Sequence, residues 1–138
     1  MNKRILGIDY GERSIGLAVS DEMLSIALPL KQIENKGTKQ FILELTPIIK
    51  DYKIGKFVWG LPLMLNGDRR PLCDKVEKIA SGISEHFNLP QSFIDERMTS
   101  SCVDKELISR ADMTRKKRSN ILDKLSATKI LQTALDTF

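Results

Sequence analysis

The stretch from Lys3 to Asp21, KRILGIDYGERSIGLAVSD, decides how the rest of the chain is read. RILGID is an apolar run that stops at Asp9 and predicts a buried strand. SIGLAVS predicts a second strand, and Tyr10, Gly11, Glu12 and Arg13 leave room only for a short turn between the two. LSIALPL (24–30) predicts a third strand, limited by Pro29. Three consecutive strands with short links make an antiparallel meander. Asp9 therefore stands at a strand end, where it either opens a turn or is placed to hold something.

Beyond the meander the apolar period changes. Phe41, Leu45, Ile48 and Ile49 predict a helix over 38–50, with Pro47 expected to kink or split it. KFVWGLP (56–62) predicts a strand ended by Gly60 and Pro62. Leu72, Val76, Ile79, Ala80, Ile83 and Phe87 form the stripe of an amphipathic helix over 68–87. QSFIDE (91–96) is a further strand that ends in acid, and a short helix is expected over 100–109. RADMTRKKRSN (110–120) is polar and basic without an apolar period, so it predicts a loop. A last helix follows from about 119 to 138, with Ile121, Leu122, Leu125, Ile130, Leu131 and Leu135 as its apolar positions. The expected fold is α/β: one domain, 1–138, with a mixed five-stranded sheet flanked by helices.

Bulk properties narrow the function class. The 138 residues are 41% hydrophobic and 29% charged, as in ordinary globular proteins. The net charge of +4 points mildly to an anionic partner. Cys73 and Cys102 lack zinc or redox spacing and are expected to be reduced thiols. No apolar run is long enough to span a membrane and no leader pattern opens the chain, so a cytoplasmic protein with no membrane partner is expected.

Three acids occupy comparable places. Asp9 ends the first strand, Glu96 ends the last beside Asp95, and Asp123 falls in the first turn of the expected final helix. Ligands of α/β sheets collect beyond the carboxyl ends of parallel strands. If the first strand and the last two run parallel, Asp9 and Glu96 share an edge and Asp123 can join them. Converging carboxylates repel unless a hard cation neutralises them, which suits Mg²⁺ or Mn²⁺. Each acid also has a plainer role: a turn residue at Asp9, solvated charge at Asp95 and Glu96, a helix-dipole partner at Asp123.

Four blocks stand in order along the chain: GIDYGERSIGLAVSD, VWGLPLMLNGD, DERMTSS and LDKLSATKILQTALD. Together they resemble the YqgF family, whose members are described as Holliday-junction-resolvase-like proteins and pre-16S ribosomal RNA nucleases. The resemblance covers essentially the whole chain. It implies a ribonuclease-H-like fold and a catalytic, metal-binding triad of Asp9, Glu96 and Asp123. Related resolvases carry a further Asp three residues before the last acid, where this chain has Asn120, and the often-seen D-x-x-A-A reads here with Ser126 and Ala127.

The expected activity is metal-dependent phosphodiester hydrolysis with two Mg²⁺ or Mn²⁺ ions, Asp9 bridging them. The expected substrate is the 5′ end of pre-16S ribosomal RNA. A four-way DNA junction is the second possibility, and a non-catalytic nucleic-acid-binding factor the third. Arg115, Lys116, Lys117 and Arg118, just before the last helix, are expected to contact phosphates, with Arg13 as a further candidate. Arg97 is expected to pair with Asp95 or Glu96. Gly11 and Gly60 are expected at backbone turns beside the site, Trp59 and Tyr52 in the core, and His86 away from the chemistry. A monomer and a homodimer are both compatible with the sequence.

Overall fold

The computed structural model describes residues 4–62, 71–96 and 115–137, the side chains of the last helix from Leu125 onward. The elements are β1 (Arg4–Tyr10), β2 (Ser14–Ser20), β3 (Ala27–Glu34), α1 (Thr38–Asp51), β4 (Ile54–Leu61), α2 (Pro71–Phe87), β5 (Gln91–Asp95) and α3 (Arg115–Thr137). The five strands form one sheet in the order β3-β2-β1-β4-β5. β1 pairs antiparallel with β2, and β2 with β3, while β4 runs parallel to β1 and β5 parallel to β4. The expected meander and mixed sheet are both present.

Both faces of the sheet are covered, which is why β1, β2 and β4 read as unbroken apolar runs. On one face Leu6, Ile8, Ile15, Leu17, Phe57 and Trp59 pack with Phe41, Leu45 and Ile48 of α1 and Val76, Ala80 and Ile83 of α2. On the other, Ile5, Ala18, Ala27 and Val58 meet Ala127, Ile130, Leu131, Ala134 and Leu135 of α3. Gly7 of β1 and Ala127 of α3 carry little or no side chain where the two cross, so the helix lies close there. A Cβ on Gly7 would stand 2.7 Å from the Leu131 Cβ and 3.2 Å from the Ala127 carbonyl oxygen.

Several boundaries differ from the expectations. β3 starts at Ala27 and runs through Pro29 to Glu34. It tolerates the proline because it is an edge strand, and its register with β2 shifts there, Leu17 facing Lys31 and Ala18 facing Pro29. Pro47 does not split α1, which is continuous over 14 residues. The carbonyl its missing N–H frees belongs to Leu43, which is 61% exposed and can bond water. β4 continues through Gly60 to Leu61. α2 is described from Pro71 onward. It ends with Asn88 at φ 54°, where Leu89 N–H donates to the Ser84 carbonyl (3.1 Å) and Asn88 N–H to that of Glu85 (3.3 Å).

The largest difference concerns residues 115–120. They are the first turns of α3, not a loop. Lys and Arg are good helix formers, so an absent apolar period did not mean an absent helix. Asp123 consequently lies eight residues past Arg115, in the third turn, and a first-turn dipole role does not apply to it. The helix expected over 100–109, the loop over 110–114 and the 68–70 end of the second expected helix lie outside the described residues.

Candidate metal-dependent nuclease site

Strand alternation decides where Asp9 points. Ile5 and Gly7 face α3 while Leu6, Ile8 and Tyr10 face α1 and α2, so half-buried Asp9 belongs to the α3 face. It pairs with Gly16 across β2. On its other side Ile8 is level with Trp59 of β4, which brings Asp9 to the height of Gly60. Gly60 is level with Ile94 of β5 and Leu61 with Asp95, so Glu96 emerges one residue beyond the ladder at the same edge. The two acids thus flank the end of β4.

Gly60 is what lets them approach. A Cβ there would lie 3.0 Å from both Cγ and Oε1 of Glu96 and would run into the Ile130 side chain. The Glu96 carboxylate therefore lies over β4, within about one strand spacing, or 4.8 Å, of β1. The sequence predicts Gly60 at a turn. It is instead a strand residue whose missing side chain forms the floor under the carboxylate.

The turn after Asp9 is pinned from β3's end. Asn35 Nδ2 donates to the Gly11 carbonyl at 2.8 Å, and Asn35 N–H donates to the Arg13 carbonyl at 2.9 Å. A Cβ on Gly11 would sit 2.6 Å from the Ser14 carbonyl oxygen, so the expected close backbone turn is present. Arg13 is exposed on this turn at the site edge. Asn35 escaped the sequence reading because a lone Asn after a strand signals only a turn.

α3 supplies the third side. Ala127 and Leu131 lie over Gly7, and Leu135 clusters with Ile5, so the helix points its N-terminal end toward Asp9. By helical register position 123 falls one turn before Ala127, on the face that carries Ala127, Ile130 and Ala134. Arg115, Lys116, Lys117 and Arg118 form the first turn, about 8–12 Å further along the axis. The side chains of Asp123 and of this basic run are outside the described set, as are Arg97 and Cys102. Among the described residues no three His, Cys, Asp or Glu side chains form a metal cluster.

The remaining expectations concern residues away from this edge. Trp59 is fully buried and Tyr52 packs against the same core, as expected. His86 is exposed at the opposite end, against the Phe87 ring at 4.8 Å. Cys73 is a buried free thiol. No helix among the described residues is long and apolar enough to cross a membrane.

The sheet order and the helix seated across it define a ribonuclease-H-like fold. The chain is similar to Thermus thermophilus RuvC in complex with a Holliday junction substrate, at TM-score 0.59 and 13% identity over 97% of this chain and 94% of that one. A second structure of Thermus thermophilus RuvC gives a TM-score of 0.57 at 10% identity, over 97% and 95% of the two chains. The family follows from sequence. The chain belongs to the RuvX family, described as Holliday junction resolvase, whose model matches residues 3–137. Among its relatives is a protein of Caldanaerobacter subterraneus subsp. tengcongensis named "Putative pre-16S rRNA nuclease", 39% identical over 97% of this chain and 96% of its own. A protein of the same name from Clostridium kluyveri is 42% identical over 96% of each chain. The resemblance read from the four sequence blocks is borne out.

Proposed function

We propose that this protein is a metal-dependent endonuclease that hydrolyses phosphodiester bonds in the cytoplasm, in processing the 5′ end of pre-16S ribosomal RNA. The observation that carries the reading is the Asp9–Gly60–Glu96 edge, where two acids flank the end of β4 and Gly60 leaves room for the Glu96 carboxylate. The names of the relatives support the substrate.

The donor set fits Mg²⁺ or Mn²⁺. Carboxylate oxygens are hard ligands, the kind such ions take while keeping several of their waters. Asp9, Glu96 and Asp123 would hold it, Asp9 from the central strand. Bound divalent ions would lower the pKa of the attacking water and offset charge on the scissile phosphate. The chain's own part is positional. Gly60 leaves the space that Glu96 and Ile130 both approach, and the Asn35-pinned turn holds the backbone after Asp9. Arg13 and the Arg115–Arg118 run would bind flanking phosphates and set the register of the strand.

A second reading, resolution of four-way DNA junctions, is favoured by the description of the family and by the RuvC likeness in fold. Asn120, where related resolvases carry an Asp, argues against a four-acid site. Offering a 5′-extended 16S precursor and a four-way DNA junction side by side separates the two. Cleavage of the precursor alone supports the first reading, and cleavage of the junction alone replaces it.

A further inference from the structure

Ser126 is 2% exposed, and its hydroxyl has no hydrogen-bond partner among the described residues. Buried hydroxyls are normally satisfied, and a serine inside a helix normally bonds the carbonyl one turn back. Ser126 does neither.

Its place in the fold gives the hydroxyl a purpose. Ser126 and Ile130 are i and i+4 neighbours on one ridge of α3. The Ile130 side chain and the Glu96 carboxylate crowd the same point above Gly60. The helix points its N-terminal end toward the Asp9 edge, so Ser126 lies about 6 Å closer to that edge than Ile130. Asp123 is three residues further on, a neighbouring position on the helix surface. A buried hydroxyl thus stands one helical turn beyond Ile130, on the side of the Asp9 edge. The hydroxyl, not the carboxylate, is the group without a partner among the described residues.

We infer that Ser126 is a positioning residue of the metal site: its hydroxyl donates to the Glu96 carboxylate, or to a water of the ion beside it, when a divalent cation is bound. The bond fixes which Glu96 oxygen faces the ion. Partners of this kind typically change metal affinity 10–100-fold. The inference rests on the metal site proposed above.

Calorimetric titration of the full chain with Mn²⁺ tests it, using wild type, Asp9→Asn and Ser126→Ala, with melting of each metal-free protein alongside. Alanine removes the hydroxyl and leaves the packing, so the metal-free melting temperature should equal or exceed that of wild type. Mn²⁺ affinity should fall about tenfold. Affinity within twofold of wild type would overturn the inference. So would a loss of affinity matched by a lower metal-free melting temperature, which would mark a role in seating the helix. If Asp9→Asn loses Mn²⁺ while Ser126→Ala keeps it, the metal site stands and only this role fails. Wild type that takes up no Mn²⁺ overturns both.

Discussion

Oε1 of Glu96 lies 3.0 Å from the point where Gly60 would carry a Cβ. The same point is crowded by Ile130, so a side chain at position 60 must displace a candidate ligand, a core residue or both. Gly60→Ala should therefore destabilise the fold by about 1–3 kcal/mol, in the usual range for overpacking. It should also weaken Mn²⁺ binding more than that loss explains. Urea unfolding with a parallel metal titration checks both effects.

Gly7 and Gly82 make a matched pair. A Cβ on Gly7 meets the Leu131 Cβ at 2.7 Å and the Ala127 backbone at 3.2 Å, neither of which is the flexible end of a side chain. Gly7→Ala should cost about 1–3 kcal/mol and shift α3 off the sheet. Gly82, exposed in the middle of α2, has nothing within 4 Å of its Cβ position. Gly82→Ala should stabilise by about 0.5–1 kcal/mol through helix propensity. Equal effects in denaturant melts would contradict the close seating of α3.

The β2–β3 loop carries a pH signature. The Asp21 carboxylate accepts from Ile26 N–H at 3.0 Å and Ser25 N–H at 2.8 Å. These bonds, Ile26's first, hold its pKa below the ordinary 3.8. The folded pKa is depressed, so the stabilisation is complete well above pH 3.8 and is lost as pH falls through the lower folded value. Asp21→Asn should cost stability at pH 7, with the gap to wild type narrowing below pH 3.8. Unfolding curves at neutral pH and near pH 3 give the comparison. A gap of constant size would exclude the charge as its source.

The basic first turn of α3 is testable by salt. Each phosphate neutralised contributes close to one unit to the log–log salt slope of binding. Replacing Arg115, Lys116, Lys117 and Arg118 by alanine should flatten that slope by roughly two to four units. Alanine retains helix propensity, so the helix itself should persist. An unaltered slope would move the nucleic-acid surface elsewhere.

The strands and the mixed character of the sheet were legible because β1, β2 and β4 are buried on both faces and write themselves as apolar runs. The edge strand was less so. Pro29 looked like a stop, and only its place at the sheet margin with a register shift explains why β3 passes through it. The start of α3 was hidden because residues 115–120 carry no apolar stripe. The shared edge of Asp9 and Glu96 was readable from strand ends, given parallel strands. Gly60 as a floor was not, because it depends on Ile130, distant in sequence, meeting Glu96 above one backbone position. Asn35 likewise acts on a turn more than twenty residues away, at Gly11 and Arg13.

The most direct test compares wild type with Asp9→Asn on a 5′-extended 16S precursor, in Mg²⁺ or Mn²⁺ and in chelator, with unfolding curves alongside. Wild type should cleave only with metal. Asp9→Asn should fold with wild-type stability and lose cleavage by at least about two orders of magnitude, the loss of a group acting in the transition state. Cleavage by a folded Asp9→Asn protein at the wild-type rate would contradict the assignment of Asp9, and with it the site.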